Sequence, residues 1–276
     1  MPRRRCADQG PTAVSGTKGP QDAVDFAALY DQHGEYTARR VAGSFEQAQV
    51  LLEATGFKIP QLLRVLPQGQ VLNSVLEIGC ATGELISNFP VAPGGQRVGC
   101  DISPANVQAA VARYPSVQFF AGDFAAMPMS QFDAVVLSDV LEHVDDDAGF
   151  LRSAAQHARY TLVNLPLEDN WLNRNRVYGP YDVSGHLRRY SLQQGLALFP
   201  RAGLKVLSHR RVWIHETSVD SERRRLRERH LGQAFTGSLP TRWLKRGVVV
   251  TTRIVRPLGQ RLFASNLFAL AVKETD

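Results

Sequence analysis

The stretch Val75-Leu-Glu-Ile-Gly-Cys-Ala-Thr-Gly-Glu-Leu85 constrains this chain more than any other, because it joins a strand, a glycine turn and a helix start. Val75, Leu76 and Ile78 are apolar and two of them are β-branched, which suits a strand covered on both faces. Glu77 interrupts that run. An unpaired charge is costly to bury, so a carboxylate at a strand end reads as a ligand group and not as core filler. Gly79 and Gly83 then permit a tight turn and a close approach of backbone to a ligand. The junction predicts an open α/β sheet that binds a nucleotide-like molecule at the carboxyl ends of its strands. Its spacing, E-x-G-x-x-x-G, departs from the G-x-G-x-x-G of nicotinamide enzymes.

The chain continues in register with that reading. Asp101 closes the apolar run RVGCD, 24 residues after Glu77, where a carboxylate accepts hydrogen bonds from ribose hydroxyls. Ser103 as N-cap and Pro104 in the first turn predict a helix beyond it. Val117 to Phe120 reads as a third strand and is followed by Asp123-Phe124; Phe132 to Ser138 reads as a fourth, ending in DVLEHV. Asp101 and Asp123 also suit helix capping, and aromatic residues such as Phe124 usually serve as core.

These four motifs together resemble the class I S-adenosylmethionine-dependent methyltransferases, in particular small-molecule enzymes similar to those of the ubiquinone pathway. The likeness covers roughly residues 70 to 215, and NLFALAVKE near the C-terminus resembles the family's last strand. It implies a Rossmann-like, doubly wound α/β fold. The sheet would be mostly parallel and seven-stranded with an antiparallel last strand, under an N-terminal helical lid and with a helical insertion before that strand. It also implies cofactor contacts at Glu77, Gly79, Cys80, Ala81, Gly83, Asp101, Ile102, Asp123, Phe124 and Ser138. Many members carry glycine where this chain has Ala81.

The composition, 44% hydrophobic and 21% charged over 276 residues, suits one large core. Residues 1–21 hold basic residues but no apolar stretch and read as a disordered tail, and 22–70 read as a helical cap in which Ser44 and Gln47 make a capping box. Residues 71–276 form the cofactor-binding domain. The resemblance makes the cap a lid, with Tyr30, His33 and Tyr36 as candidate pocket residues. Cys6, Cys80 and Cys100 have neither disulfide nor metal-ligand spacing and point to reduced thiols in cytoplasm.

After a fifth strand at TLVNLP comes a segment of about 25 residues, LEDNWLNRNRVYGPYDVSGHLRRYS, long for a connector. It carries Trp171, Tyr178, Tyr181, His186, Arg188, Arg189 and Tyr190. Of these, Tyr178, Tyr181, Arg188 and Tyr190 are expected to contact substrate. A sulfonium is already a good leaving group, so the protein's task is to align the acceptor and exclude water. A hydroxyl acceptor also needs a base, for which His143 and His186 are the candidates.

Asp139, Glu142 and His143 form D-x-x-E-H, expected on one face of a helix. It is similar to the E-x-x-E-H that some ubiquinone-pathway O-methyltransferases place around a divalent ion. Acids at a helix start follow equally from the helix dipole, and no obligatory metal is assigned.

Residues 217–262 hold eleven Lys and Arg against three Asp and Glu, a net of +8, whereas the whole chain is +6 and the remainder therefore −2. The segment reads as a basic helical insertion, with an amphipathic stretch broken at Pro257. Such a helix can pack on the domain with a solvated basic face, or make peripheral contact with an anionic membrane surface. No RNA-binding module is recognisable, so nucleic acid is not the expected partner. The expected activity is methyl transfer from S-adenosylmethionine to a small organic acceptor, most simply an oxygen, with a non-catalytic cofactor-binding partner protein, or a methyltransferase acting on a lipid-linked, glycan or nucleic-acid acceptor, as the alternatives.

Overall fold

A computed structural model describes residues 43–127, 131–171, 173–179, 182, 185–232, 247, 250, 255 and 263–274. Helix α1 (Phe45–Glu53) runs through a π-helical turn (Ala54–Lys58) into α2 (Ile59–Leu63). Then follow β1 (Ser74–Ile78), α3 (Glu84–Asn88), β2 (Gln96–Asp101), α4 (Pro104–Arg113), β3 (Gln118–Ala121) and β4 (Phe132–Ser138). After these come α5 (Asp147–Ala155), β5 (Ala158–Leu167), α6 (Leu192–Arg201), β6 (Leu204–Val212), α7 (Val219–Leu231) and β7 (Ser265–Lys273).

The seven strands form one sheet in the order β3-β2-β1-β4-β5-β7-β6. β1 pairs in parallel with β2 and β4, β2 with β3, and β4 with β5, whereas β7 runs antiparallel to both β5 and β6. The expected fold, antiparallel last strand included, is the one observed. Strand order reverses between β2-β1 and β1-β4, which opens a crevice beyond the carboxyl ends of β1, β2 and β4.

Alternation along each strand sends side chains to two cores, one on each face. Leu76, Ile78, Val135, Leu137, Val163 and Leu165 pack toward α5 and α6. Val75, Ala134, Val136, Leu162, Phe268 and Leu270 pack on the other face with Phe57, Ile59 and Leu62. The helices expected as a cap over 22–70 therefore complete the sheet's own core from Ala54 to Val65, while Tyr30, His33 and Tyr36 lie outside the described residues, as do the tail and Cys6.

Local capping fixes several boundaries. Ser103 accepts from the Asn106 amide at 3.3 Å and starts α4, and Ser191 with Gln194 makes a full capping box at the start of α6. The first half of the basic insertion is helical as expected: α7 ends at Gly232 and lies on α1, with Arg223 paired to Glu53 at 2.9 Å. The amphipathic stretch beyond it falls outside the described residues apart from Gly247, Val250 and Val255. No described helix is long and apolar enough to cross a membrane.

Candidate active site

The glycine turn after β1 is left-handed at alternate residues. Gly79 has φ 76°, Ala81 46° and Gly83 86°. A Cβ on Gly79 would meet Val140 at 2.5 Å, and one on Gly83 would meet the Phe119 ring at 2.9 Å, so both glycines are required by conformation and by space. Ala81 tolerates its angle at a cost, since left-handed backbone disfavours any residue with a Cβ. Cys80 and Cys100 are both buried and free, and the Cys80 amide extends the ladder to the Cys100 carbonyl at 3.0 Å.

Asp101 locks this turn to the end of β2. One of its oxygens accepts from the Ala81 amide at 2.7 Å; the other accepts from the Ser103 amide at 3.0 Å and from Asn106 Nδ2 at 3.2 Å. A carboxylate has about four acceptor sites, so these three donors leave capacity for a ligand hydroxyl. Ile102 beside it exposes 44% of its surface, an apolar face at the edge of the crevice. Glu77 is buried and accepts from the Ile86 amide at 2.9 Å. Burial raises its carboxyl to about 8, against the opposing pull of the Lys58 ammonium.

Lys58, which sequence reasoning missed, closes the π-helical turn, a feature frequent at functional sites. Its Nζ lies 2.6 Å from Asp139 Oδ2, and that charge, with Glu53 and Glu77 nearby, outweighs burial and raises the ammonium above its usual range. Asp139 also hydrogen-bonds Ser138 Oγ at 3.2 Å and receives Asn164 Nδ2 at 3.2 Å, and Asn164 in turn accepts from Asn266 at 2.9 Å. A polar chain thus crosses the carboxyl ends of β4 and β5 to the start of β7. Asn164, an amide inside the apolar run TLVNLP, was its one visible signal.

The D-x-x-E-H segment is not a helix with three residues on one face. Only Leu141–His143 form a single 3₁₀ turn, and Asp139 stands before it at φ 56°, facing Lys58. Beyond that turn the structure brings together residues 43 positions apart: the His143 and His186 rings meet edge to face with centroids 4.8 Å apart. His143 Nδ1 lies 3.0 Å from the Gly185 carbonyl, and His186 Nδ1 lies 2.8 Å from Glu168 Oε2. Burial, and then the neighbouring His186, lower His143 to about 4, so it stays neutral at physiological pH. Burial would raise Glu168, yet His186 and Arg176 outweigh it and hold the carboxylate below its ordinary value. Glu142 is fully buried, and burial followed by the nearby Asp139 pushes its carboxyl well up.

Other expected residues sit differently. Phe124 is 6% exposed and packs edge to face on Phe150 and His157, so it belongs to the core and offers no open stacking face; Asp123 caps the short turn after β3 through the Ala125 amide at 2.9 Å. Tyr190, expected to line the substrate pocket, is 4% exposed, with its hydroxyl 2.9 Å from Asp147 Oδ2 and 3.2 Å from the Leu141 carbonyl. It pins the long segment to α5. Arg188 does the same through Asp147 at 2.9 Å and the Asp145 carbonyl at 2.7 Å. Tyr178 is half-buried beneath Arg176, and burial raises its phenol to about 12; Tyr181 lies outside the described residues.

The sheet order and the turn after β1 define a Rossmann-like cofactor-binding protein. A family model described as a methyltransferase domain matches residues 48–209, and the chain belongs to this family of class I S-adenosylmethionine-dependent methyltransferases. No curated protein matches the sequence. Among solved structures it is similar to phosphoethanolamine N-methyltransferase 2 of Haemonchus contortus, in complex with phosphomonomethylethanolamine and S-adenosylhomocysteine. That match has 17% identity and TM-score 0.58, over 92% of this chain and 61% of that one. It is also similar to the magnesium protoporphyrin IX methyltransferase of Synechocystis PCC 6803 with bound S-adenosylhomocysteine, at 15% identity and TM-score 0.55, over 90% and 98% of the two chains. The (4+2)-cyclase SpnF matches at 15% identity and TM-score 0.56, over 91% and 96%. At such identities the likeness carries the fold and leaves the acceptor open.

Proposed function

We propose that this chain transfers a methyl group from S-adenosylmethionine to an oxygen of a small organic acceptor, with His186 as the base. The observation that carries the reading is the His143–His186 pair beyond the end of β4, anchored at both Nδ1 atoms.

The residues of the crevice fit the cofactor. Glu77 and Asp101 offer carboxylates to a cationic ligand with ribose hydroxyls, the turn from Gly79 through Cys80 and Ala81 to Gly83, left-handed at Gly79, Ala81 and Gly83, brings backbone close, and the exposed Ile102 offers an apolar face. Asp123 follows β3 and Ser138 ends β4, on either side of β2 and β1 along the same carboxyl edge of the sheet. When bound, S-adenosylmethionine supplies a methyl group on a sulfonium, which no enzyme nucleophile needs to activate.

The rest falls to the protein's own side chains. Glu168 holds Nδ1 of His186 as a donor and so presents Nε2 as a proton acceptor, an arrangement that also stabilises the imidazolium once formed. As the acceptor oxygen gains the methyl group, its proton passes to Nε2 of His186. His143, held neutral by burial, positions the acceptor and adds no competing charge. Arg176 keeps Glu168 ionised at 2.7 Å.

The test is to incubate the purified chain with isotopically labelled cofactor and fractionated host metabolites, and to follow labelled products by mass spectrometry. His186→Ala should lower turnover by about 10²–10⁴-fold, the usual worth of a positioned base, with cofactor affinity unchanged. Equal turnover in wild type and variant would remove His186 from the mechanism.

A further inference from the structure

We infer, resting on the reading of His186 as the base, that Arg176 and Asp182 are its positioning residues, closing a ring of charged contacts that holds the imidazole in one tautomer. The Arg176 guanidinium is the centre of that ring. Its Nε and Nη2 donate to the two oxygens of Asp182 at 2.7 and 2.8 Å, and its Nη1 donates to Glu168 Oε1 at 2.7 Å. The other Glu168 oxygen accepts from Nδ1 of His186 at 2.8 Å, and Asp182 Oδ1 accepts from the His186 backbone amide at 3.1 Å. One histidine is thus held twice, by its ring through Glu168 and by its backbone through Asp182, and Arg176 joins the two carboxylates. The Asp182 side chain is 2% exposed, so its pair with Arg176 is shielded from water. Forked contacts between ions are about twice as strong as neutral hydrogen bonds and fix direction as well as distance.

The ring supplies the rigidity that irregular chain between β5 and α6 lacks. Glu168 directly follows Leu167, the last residue of β5, and its carbonyl accepts from Asn170 Nδ2 at 2.9 Å and Asn173 Nδ2 at 3.3 Å, so it is the point fixed to the sheet. Beyond it the chain doubles back. The Gly179 amide donates to the His186 carbonyl at 2.9 Å, the Asp182 amide to the Gly179 carbonyl at 3.0 Å and the Gly185 amide to the Asp182 carbonyl at 2.9 Å. Arg176 spans this fold from Glu168 to Asp182, with its guanidinium carbon 5.0 Å from the centre of the Tyr178 ring. A lysine could not do the same, because its ammonium is a point charge without a planar fork. With Glu168 Oε1 taken by Arg176, Oε2 faces Nδ1–H of His186 and Nε2 is the bare nitrogen. Misplacing a reacting group by about 1 Å can cost about 10²-fold in rate, which is the scale of what such a ring protects.

The imidazole itself reports the outcome. With histidine carrying the heavy isotope of nitrogen, NMR of the full chain at about pH 9, where imidazoles are uncharged, tells a protonated Nδ1 from a bare Nε2. The His186 signals are identified by their loss in His186→Gln. The wild type should show a single tautomer with Nδ1 protonated. Arg176→Ala should move both nitrogens toward the average of exchanging tautomers, and added guanidinium should restore the single form, since the Arg176 side chain is part-exposed. Asp182→Asn keeps the shape of the side chain, removes the charge that orients Arg176, and should shift both nitrogens the same way by less; it decides the matter if the alanine variant does not fold. Turnover should fall alongside by about 10–10²-fold, with cofactor affinity unchanged. A His186 ring that keeps its tautomer in both variants overturns the inference. A ring that loses it while turnover stays intact supports the positioning role and strikes instead at His186 as the base, so the two failures are told apart.

Discussion

Replacing Tyr190 by phenylalanine separates a residue that holds the fold from one that touches substrate. The ring is 4% exposed within the core, and phenylalanine keeps its packing. What is lost is the hydroxyl, which reaches Asp147 Oδ2 at 2.9 Å with the Leu141 carbonyl at 3.2 Å. A hydrogen bond to a charged group contributes about 1.5–3 kcal/mol. Asp147 is not stranded by the change, because it keeps Arg188 at 2.9 Å, Arg201 at 3.4 Å and the Ala148 amide at 2.7 Å. The lower end therefore applies, about 1.5 kcal/mol. At roughly 2–4 °C per kcal/mol for a domain of this size, the midpoint should fall by roughly 3–6 °C. Denaturant titration with a fixed slope reads the loss directly. A stability change under about 0.5 kcal/mol, together with a raised KM for the acceptor, would refute the tether and return Tyr190 to the pocket.

Ala81→Gly should stabilise the protein. Relief of the left-handed φ of 46° is worth about 1–2 kcal/mol, and the added freedom of the unfolded chain takes back about 0.4–1, which leaves a gain of roughly 0.5–1 kcal/mol. A lowered denaturation midpoint would show that Ala81 is held by contacts and not strained. Glu77 should couple cofactor binding to protons. Its folded pKa, raised by burial to about 8, means that its contribution to stability is complete below about pH 4.5 and is lost as pH rises through 8. A cationic ligand beside Glu77 restores the carboxylate, so affinity should climb between about pH 5 and 8 with release of a proton. Calorimetry near neutral pH in two buffers of different ionisation enthalpy detects that release; identical apparent enthalpies would count against Glu77 as a cofactor ligand.

Much of the cofactor half was legible because its signals are local. The strand from Phe132 to Ser138, the Ser103 cap and the capping box at Ser191 are each written within a few neighbouring residues. The misreadings came where a local rule met a tertiary demand. Asp139 could not open a helix once its backbone turned left-handed to face Lys58, and Phe124 followed its apolar character into the core. The Lys58–Asp139 pair spans 81 residues, and the approach of His186 to His143 depends on how the long segment folds back over the end of β4. No periodicity in the chain encodes such meetings.

The antiparallel placement of β7 has a consequence for how this enzyme can diversify. Leu167 at the end of β5 faces Ser265, and Val212 at the end of β6 faces Asn266, so the chain leaves the sheet and re-enters it on adjacent strands about 4.8 Å apart. Everything from 213 to 264 is a closed excursion from the edge where the crevice lies. Doubling the length of such an excursion costs only about 0.6 kcal/mol in closure entropy. The excursion is anchored at its start, where Val219 of α7 is fully buried in the core and Arg223 pairs with Glu53, so the freedom to be shortened or recharged belongs to the chain beyond α7, while the strand ends keep their register.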